Sequence, residues 1–228
     1  MTETYNIDLF DGHLIFANNG LKVLVDTGSP FSIGKDPHFE FMGQQYHCNE
    51  GISTISEMMG YDIDVLMGMD VLGYYYIQTD YKDKKIVFST DGIPFESICT
   101  VPLIRGNMGE VCVELSVNGQ KVKLALDTGA KISYIDECFT VGKPVIETRE
   151  DFSPFIGNFE MPIYVIDASL GDQTFPVYFG NLPSQMASML KMMGIYGAIG
   201  FDLFNAFTIL LDFRNNELLL AEIHNKKA

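Results

Sequence analysis

The sequence predicts an all-β chain in which one unit is used twice, with a few short helices. Two observations predict this. VLVDTGSPFSI at residues 23 to 33 returns as LALDTGAKISYI at 124 to 135, an apolar triplet followed each time by Asp-Thr-Gly, at an offset of 101. Further on, VLMGMDVLGYYYIQTDYKDKKIVF returns as GAIGFDLFNAFTILLDFRNNELLL, matching Gly68 to Gly200, Asp70 to Asp202 and Asp80-Tyr81 to Asp212-Phe213 at an offset of 132. Such self-similarity marks a repeated architecture. Strand patterning supplies the rest, because most segments alternate or run apolar with β-branched and aromatic residues between Asn-Gly, Asp-Gly and Gly-Asp turns.

In chain order, GHLIFANN and LKVLVD read as strands flanking an Asn-Gly turn. FEFMGQQYHCN around Gly43 reads as strand, tight turn and strand, and ASLGDQTFPVYF around Gly171 is its counterpart at an offset of 128. Short helices are expected at SEMMG, at SQMASMLKMMG and after each Gly-x-Asp, with Val71-Leu72 and Leu203-Phe204 facing the core. KKIVF closes the first copy, and Gly92 and Pro94 in DGIPFES mark the border. The copies are therefore residues 1–98 and 99–228. EVCVELSVNG, KVKLALD, PIYVIDASL and TFPVYF are strands of the second. From Gly28 to Gly43 is 15 positions and from Gly129 to Gly171 is 42, so the second copy carries a 27-residue insertion.

Composition narrows the function. The 228 residues carry 15 Lys plus Arg against 30 Asp plus Glu, a net charge of −15 that argues against a nucleic-acid partner. The charge divides as −10 for residues 1–98 and −5 for 99–228. At 47% hydrophobic and 20% charged the chain is ordinary globular material. Cys48, Cys99, Cys112 and Cys138 form no Cys-x-x-Cys pair and are expected to be free, mostly buried thiols. The start lacks the pattern of a signal peptide, and FDLFNAFTILLDF is broken by Asp202, Asn205 and Asp212 too soon to span a bilayer. A cytoplasmic protein without a membrane anchor is expected.

One Asp-Thr-Gly triplet would arise by chance in about one chain in twenty-five of this length. Two, each after a buried strand and each followed by an apolar pair, Gly, any residue and Asp, form a specific pattern. A carboxylate at a strand end followed by Gly is turned outward by a backbone that a residue without Cβ tolerates. If two such turns meet at a pseudo-twofold axis, Asp26 and Asp127 come side by side. Like charges about 4 Å apart repel by roughly 4 kcal/mol at an effective dielectric near 20, so one carboxylate keeps its proton. The pair then holds a general base and a general acid together.

With these motifs the sequence resembles the aspartic proteases of the pepsin and retropepsin group over nearly its whole length. The resemblance implies a bilobal fold with a cleft, a catalytic dyad of Asp26 and Asp127, and a water held by both. Thr27 and Thr128 would cross-link the two loops, Gly28 and Gly129 would let them bend, and Ser29 and Ala130 would complete their support. No cofactor or metal is implied. The substrate would be a polypeptide, and one chain would suffice as a monomer. Ser29 follows the pepsin pattern, in which a hydroxyl supports the outer carboxylate oxygen, whereas Ala130 is the retropepsin choice. That asymmetry makes Asp26 the more readily ionised partner.

Family members close the cleft with a β-hairpin, and only the second copy has room for one. The candidate runs from Thr148 to Tyr164, with Phe152, Phe155 and Phe159 around Pro154 and Gly157 as a lid gripping an apolar side chain. An ordinary surface hairpin tucking its Phe side chains into the lobe is the other reading. A pepsin carries its one flap on the first lobe, and the FEFMGQQYHC hairpin with Tyr46 competes for that role. His38, His47 and Cys48 lack a partner pair at zinc spacing. The Met clusters read as core filling or a soft groove lining, and Lys82, Lys84 and Lys85 as a solvated turn. Two other functions stay open: a peptide-binding module that does not cut, and a structural interaction protein.

Overall fold

The computed structural model describes residues 1–106, 109–153 and 157–223, with the backbone alone at residues 152 and 153. The first half contains β1 (Thr2–Phe10), β2 (His13–Asn18), β3 (Leu21–Val25), β4 (Ile33–Gly34), β5 (His38–Phe41), β6 (Gln44–His47), α1 (Ile52–Met59), β7 (Val65–Met67), α2 (Met69–Leu72), β8 (Tyr76–Asp80) and β9 (Lys85–Ser89). The second contains β10 (Cys99–Pro102), β11 (Ile104–Arg105), β12 (Val111–Val117), β13 (Gln120–Leu126), β14 (Ser133–Ile135), a 3-10 turn (Glu137–Phe139), β15 (Glu147–Ser153), β16 (Gly157–Leu170), β17 (Gln173–Asn181), α3 (Ser184–Met192), β18 (Gly197–Ile199), α4 (Phe201–Ala206), β19 (Thr208–Asp212) and β20 (Glu217–Ala221). Asn19 and Asn118 take positive φ of 50° and 51°, as tight hairpins between β2 and β3 and between β12 and β13 require.

Ten strands form one sheet in the order β10-β20-β19-β8-β9-β1-β2-β3-β7-β4, and eight form another, β11-β12-β13-β18-β14-β17-β16-β15. The first sheet takes strands from both halves, joined where β8 and β19 run antiparallel. Their register carries the internal symmetry. Gln78 faces Leu210, its own counterpart at the offset of 132, and the flanking pairs Ile77–Leu211 and Thr79–Ile209 exchange under that offset. The pseudo-twofold axis therefore passes through this strand pair.

β1 is a long strand the sequence reading leaves out. TETYNIDLF alternates with polar residues on its outer face. Its first part pairs with β9 and its last part with β2. In the second half β10 pairs with β20 and β11 with β12, so two short strands together fill the corresponding role.

One hydrophobic core spans both halves, from Phe16, Phe41, Tyr75 and Phe88 to Leu124, Val177, Phe179 and Ile209. Val71 and Leu72 of α2 and Leu203 and Phe204 of α4 enter it with exposures of 1% or less, as their placement after Gly-x-Asp predicts. The four thiols are unbridged; Cys48 and Cys112 are buried, Cys99 is half-buried and Cys138 is exposed. Among the described residues no helix is long and apolar enough to cross a membrane.

Candidate active site

Asp26 and Asp127 follow the last residues of β3 and β13, each lying beside a parallel strand of its own half, β7 and β18. The Asp26 amide donates to the Met67 carbonyl at 3.0 Å, and the Asp127 amide to the Ile199 carbonyl at 3.0 Å. These bonds fix both loops at the point where Gly68 and Gly200 follow. A Cβ at Gly68 would lie 2.6 Å from the Phe31 carbonyl, and one at Gly200 would lie 2.2 Å from that of Ala130, so the apolar-Gly motif leaves room for the loop to fold over it.

The two loops are stitched to each other. Thr27 Oγ1 donates to the Leu126 carbonyl at 2.7 Å and accepts from the Thr128 amide at 3.0 Å. Thr128 Oγ1 donates to the Val25 carbonyl at 2.8 Å and accepts from the Thr27 amide at 3.0 Å. Both threonines are 2% exposed, so four backbone groups at the centre of the molecule depend on these two hydroxyls.

Held this way, the carboxylates of Asp26 and Asp127 lie within hydrogen-bonding reach of each other. Gly28 and Gly129 make that possible for a reason the sequence reading did not give. Neither has a positive φ. What excludes a side chain is the opposite carboxylate, since a Cβ on Gly28 would stand 2.5 Å from Asp127 Cγ and one on Gly129 2.7 Å from Asp26 Cγ. Asp26 Oδ1 accepts from the Gly28 and Ser29 amides at 2.8 and 3.0 Å, and Asp127 Oδ1 from the Gly129 amide at 2.9 Å.

Ser29 corrects a second expectation. Its hydroxyl donates to the Phe31 carbonyl at 2.8 Å and supports no carboxylate oxygen, while its amide is the group that serves Asp26. Ala130 has no hydroxyl to offer; its methyl joins a buried cluster with Ile132, Tyr134, Met161, Ile163 and Ala198.

Burial raises the pKa of both aspartates, and backbone amides partly oppose it. Asp127 is driven well above the usual carboxylate range, by burial first and then by the charge of Asp26. The two carboxylates therefore titrate as a coupled pair that shares one proton.

Two further pairs, which the sequence reading passed over, brace the loops. Ser32 Oγ donates to Asp70 Oδ1 at 2.7 Å and accepts from the Gly68 amide at 3.0 Å. Ser133 Oγ donates to Asp202 Oδ2 at 2.6 Å and accepts from the Gly200 amide at 3.3 Å. The serines stand at the offset of 101 and the aspartates at 132. The Asp of Gly-x-Asp thus orients the serine that caps the Gly amide behind the Asp-Thr-Gly loop. A serine six positions after each Asp of the triplets was the available signal.

His13 of β2, only 5% exposed, reaches across to the second loop at Gly129. Lys131 binds Asp11 at 2.9 Å and Asp151 at 3.7 Å, and the Tyr134 hydroxyl donates to Asp151. This network joins the β1–β2 turn, the second Asp-Thr-Gly loop and β15.

The insertion is a hairpin, with β15 and β16 paired from Glu147–Ile163 to Ser153–Gly157. Gly157, with φ of 78°, opens β16. Phe155 and the side chain of Phe152 lie outside the described residues. Phe159 packs against the Ala130–Ile132 cluster, as the alternative reading of a hairpin tucking its Phe into the lobe predicts. The competing hairpin is anchored in the core: Phe39 and Phe41 of β5 and Met42 of its turn are buried, and the Tyr46 hydroxyl meets that of buried Tyr75 at 2.6 Å. His38 and His47 face each other across it with ring centroids 5.4 Å apart. Met67 and Met69 are core, whereas Met192 on α3 is 84% exposed.

No protein-family model and no curated protein matches the sequence. Solved structures do align with it. The protease of simian foamy virus (mac) in solution aligns with a TM-score of 0.30 and 18% identity over 39% of this chain and 86% of that one. The crystal structure of the aspartic proteinase from Irpex lacteus aligns with a TM-score of 0.54 and 10% identity, covering 100% of this chain and 99% of that one. The chain thus has the bilobal, all-β fold of a pepsin-like aspartic proteinase.

Proposed function

We propose that the chain is an aspartic-type endopeptidase, hydrolysing peptide bonds in extended polypeptides by attack of a water activated across Asp26 and Asp127. The observation that carries this reading is the mutual contact of the two carboxylates between loops cross-linked by Thr27 and Thr128. Ionised Asp26 takes a proton from the water as its oxygen bonds to the substrate carbonyl carbon, and Asp127 gives its proton to the carbonyl oxygen. In the second step the proton on Asp26 passes to the leaving nitrogen as the C–N bond breaks, and the reforming carbonyl returns a proton to Asp127. Neither step requires a cofactor or a second chain, since both carboxylates come from one polypeptide.

The test is digestion of an unfolded protein library between about pH 3 and 7 by the wild type, Asp26→Asn and Asp127→Asn. Removing either carboxylate is expected to lower cleavage by at least about a thousandfold, as loss of a member of a catalytic unit does. Equal cleavage by all three proteins overturns the dyad. No cleavage by the wild type, with binding of a statine-containing peptide retained, supports the non-cutting peptide-binding module.

A further inference from the structure

The two catalytic loops are not equally covered. Phe31 and Ile132 stand at the offset of 101, five positions after Asp26 and Asp127, and their neighbours Ile33 and Tyr134 pair with Leu66 and Ala198, themselves related by the offset of 132. They are structural counterparts, yet Ile132 is 2% exposed and Phe31 59%. Ile132 is covered by β16, whose Met161 and Ile163 are buried around it with Phe159 against the same cluster. These three side chains alternate along one extended strand. The first half has no such strand, because the 15 positions from Gly28 to Gly43 hold only β4 and β5. Gly28, Pro30 and Phe31 are consequently all exposed beside Asp26.

We infer that Phe31 is a specificity-determining residue, covered in the working protein by an apolar side chain of an extended substrate lying where the first half lacks its own strand. The inference rests on the endopeptidase reading. The second half shows what fits such a place: an extended chain with apolar side chains at alternate positions. Residues 1–98 carry a net charge of −10, so acidic residues flanking that apolar position are repelled and basic ones favoured.

The experiment compares the wild type with Phe31→Ser on quenched fluorescent peptides. Each position is varied between Leu, Phe and Ser, with Lys or Glu on its flanks. Circular dichroism establishes that the exposed substitution leaves the fold intact, and titration calorimetry with a statine-containing peptide runs in parallel. The wild type is expected to prefer Leu or Phe at one position and Lys over Glu beside it. Phe31→Ser should raise KM for those peptides about tenfold, the scale on which an apolar pocket discriminates, and erase the preference at that position alone. An active wild type whose cleavage profile survives Phe31→Ser overturns the inference and leaves the endopeptidase reading standing. An inactive wild type sinks that reading, and the inference is then judged by binding: about tenfold weaker binding of the statine peptide supports Phe31 as its contact, while unchanged or absent binding overturns it.

Discussion

Gly28 is the surface against which Asp127 rests, and Gly129 does the same for Asp26. The gap is small enough that a single Cβ on Gly28 would overlap the Asp127 carboxylate at 2.5 Å. Gly28→Ala and Gly129→Ala should therefore displace a carboxylate of the pair while leaving the sheets in place. We expect a loss of about 1–3 kcal/mol in stability, the usual cost of overpacking, and a fall of about a hundredfold in kcat, the scale of a 1 Å misplacement. Urea denaturation and peptide turnover measure the two effects separately. A variant that keeps wild-type turnover would mean that the carboxylates do not need their present spacing.

The threonine cross-link makes a prediction about symmetry. Thr27→Val and Thr128→Val keep the shape of the side chain, but each leaves one buried amide and one buried carbonyl of the opposite loop without a partner. At about 1–3 kcal/mol for each orphaned group, either substitution should cost about 2–6 kcal/mol. Because the two hydroxyls make matching bonds, the two costs should agree to within about 0.5 kcal/mol. A large inequality in urea midpoints would show that the loops bear unequal loads in spite of their matched geometry.

The triplets were legible because their signal is local: three residues after an apolar strand, repeated at one offset. The core-facing Val71, Leu72, Leu203 and Phe204 were legible for the same reason. What escaped the sequence depends on contacts between distant segments. His13 meets Gly129, and Asp11 meets Lys131, across more than 100 positions, and no periodicity reports such a pairing. The role of Gly28 escaped too, because the partner that forbids its Cβ belongs to the other half. Ser29 was misread because a hydroxyl beside a carboxylate suggests a bond between them. Here two backbone amides already serve Asp26, and the hydroxyl satisfies the Phe31 carbonyl instead. β1 escaped because its outer residues are polar and its partners, β9 and β2, are set by the whole sheet.

The serine braces should differ between the halves. Ser32 and Ser133 are both fully buried, but Asp70 is exposed and keeps a second donor in the Ser32 amide at 3.0 Å. Asp202 is half-buried, its pKa raised by burial, and its other oxygen depends on the Tyr178 amide at 3.3 Å. Ser133→Ala should thus be the more damaging, by about 1–2 kcal/mol, as an undersolvated carboxylate loses a donor. The difference should widen from pH 4 to 7 as Asp202 ionises. Equal losses at neutral pH would remove Asp202 from the account.

The last prediction concerns the stability cost of the dyad itself. The folded pKa of Asp127 lies well above its unfolded value, so between the two the native state holds a proton that the unfolded chain has released. Stability from this group is fully present below the unfolded pKa, about 3.9, and is lost as pH rises through the interval up to the folded pKa. Asp127→Asn removes the titration and keeps the side chain's shape, and its amide can donate to ionised Asp26 as the protonated acid does. The variant should therefore be inactive yet more stable than the wild type at pH 7, by about 1–3 kcal/mol. That is about 2–4 °C in Tm per kcal/mol for a chain of this size. The two stability curves should converge as pH falls below about 3.9, where the wild-type aspartate becomes protonated in both states. Urea unfolding between pH 3 and 8 tests the sign directly: a wild type more stable than Asp127→Asn at pH 7 would place the shared proton elsewhere, whereas a gap that closes only on the acid side ties the stability cost to the same carboxylate that carries the proposed chemistry.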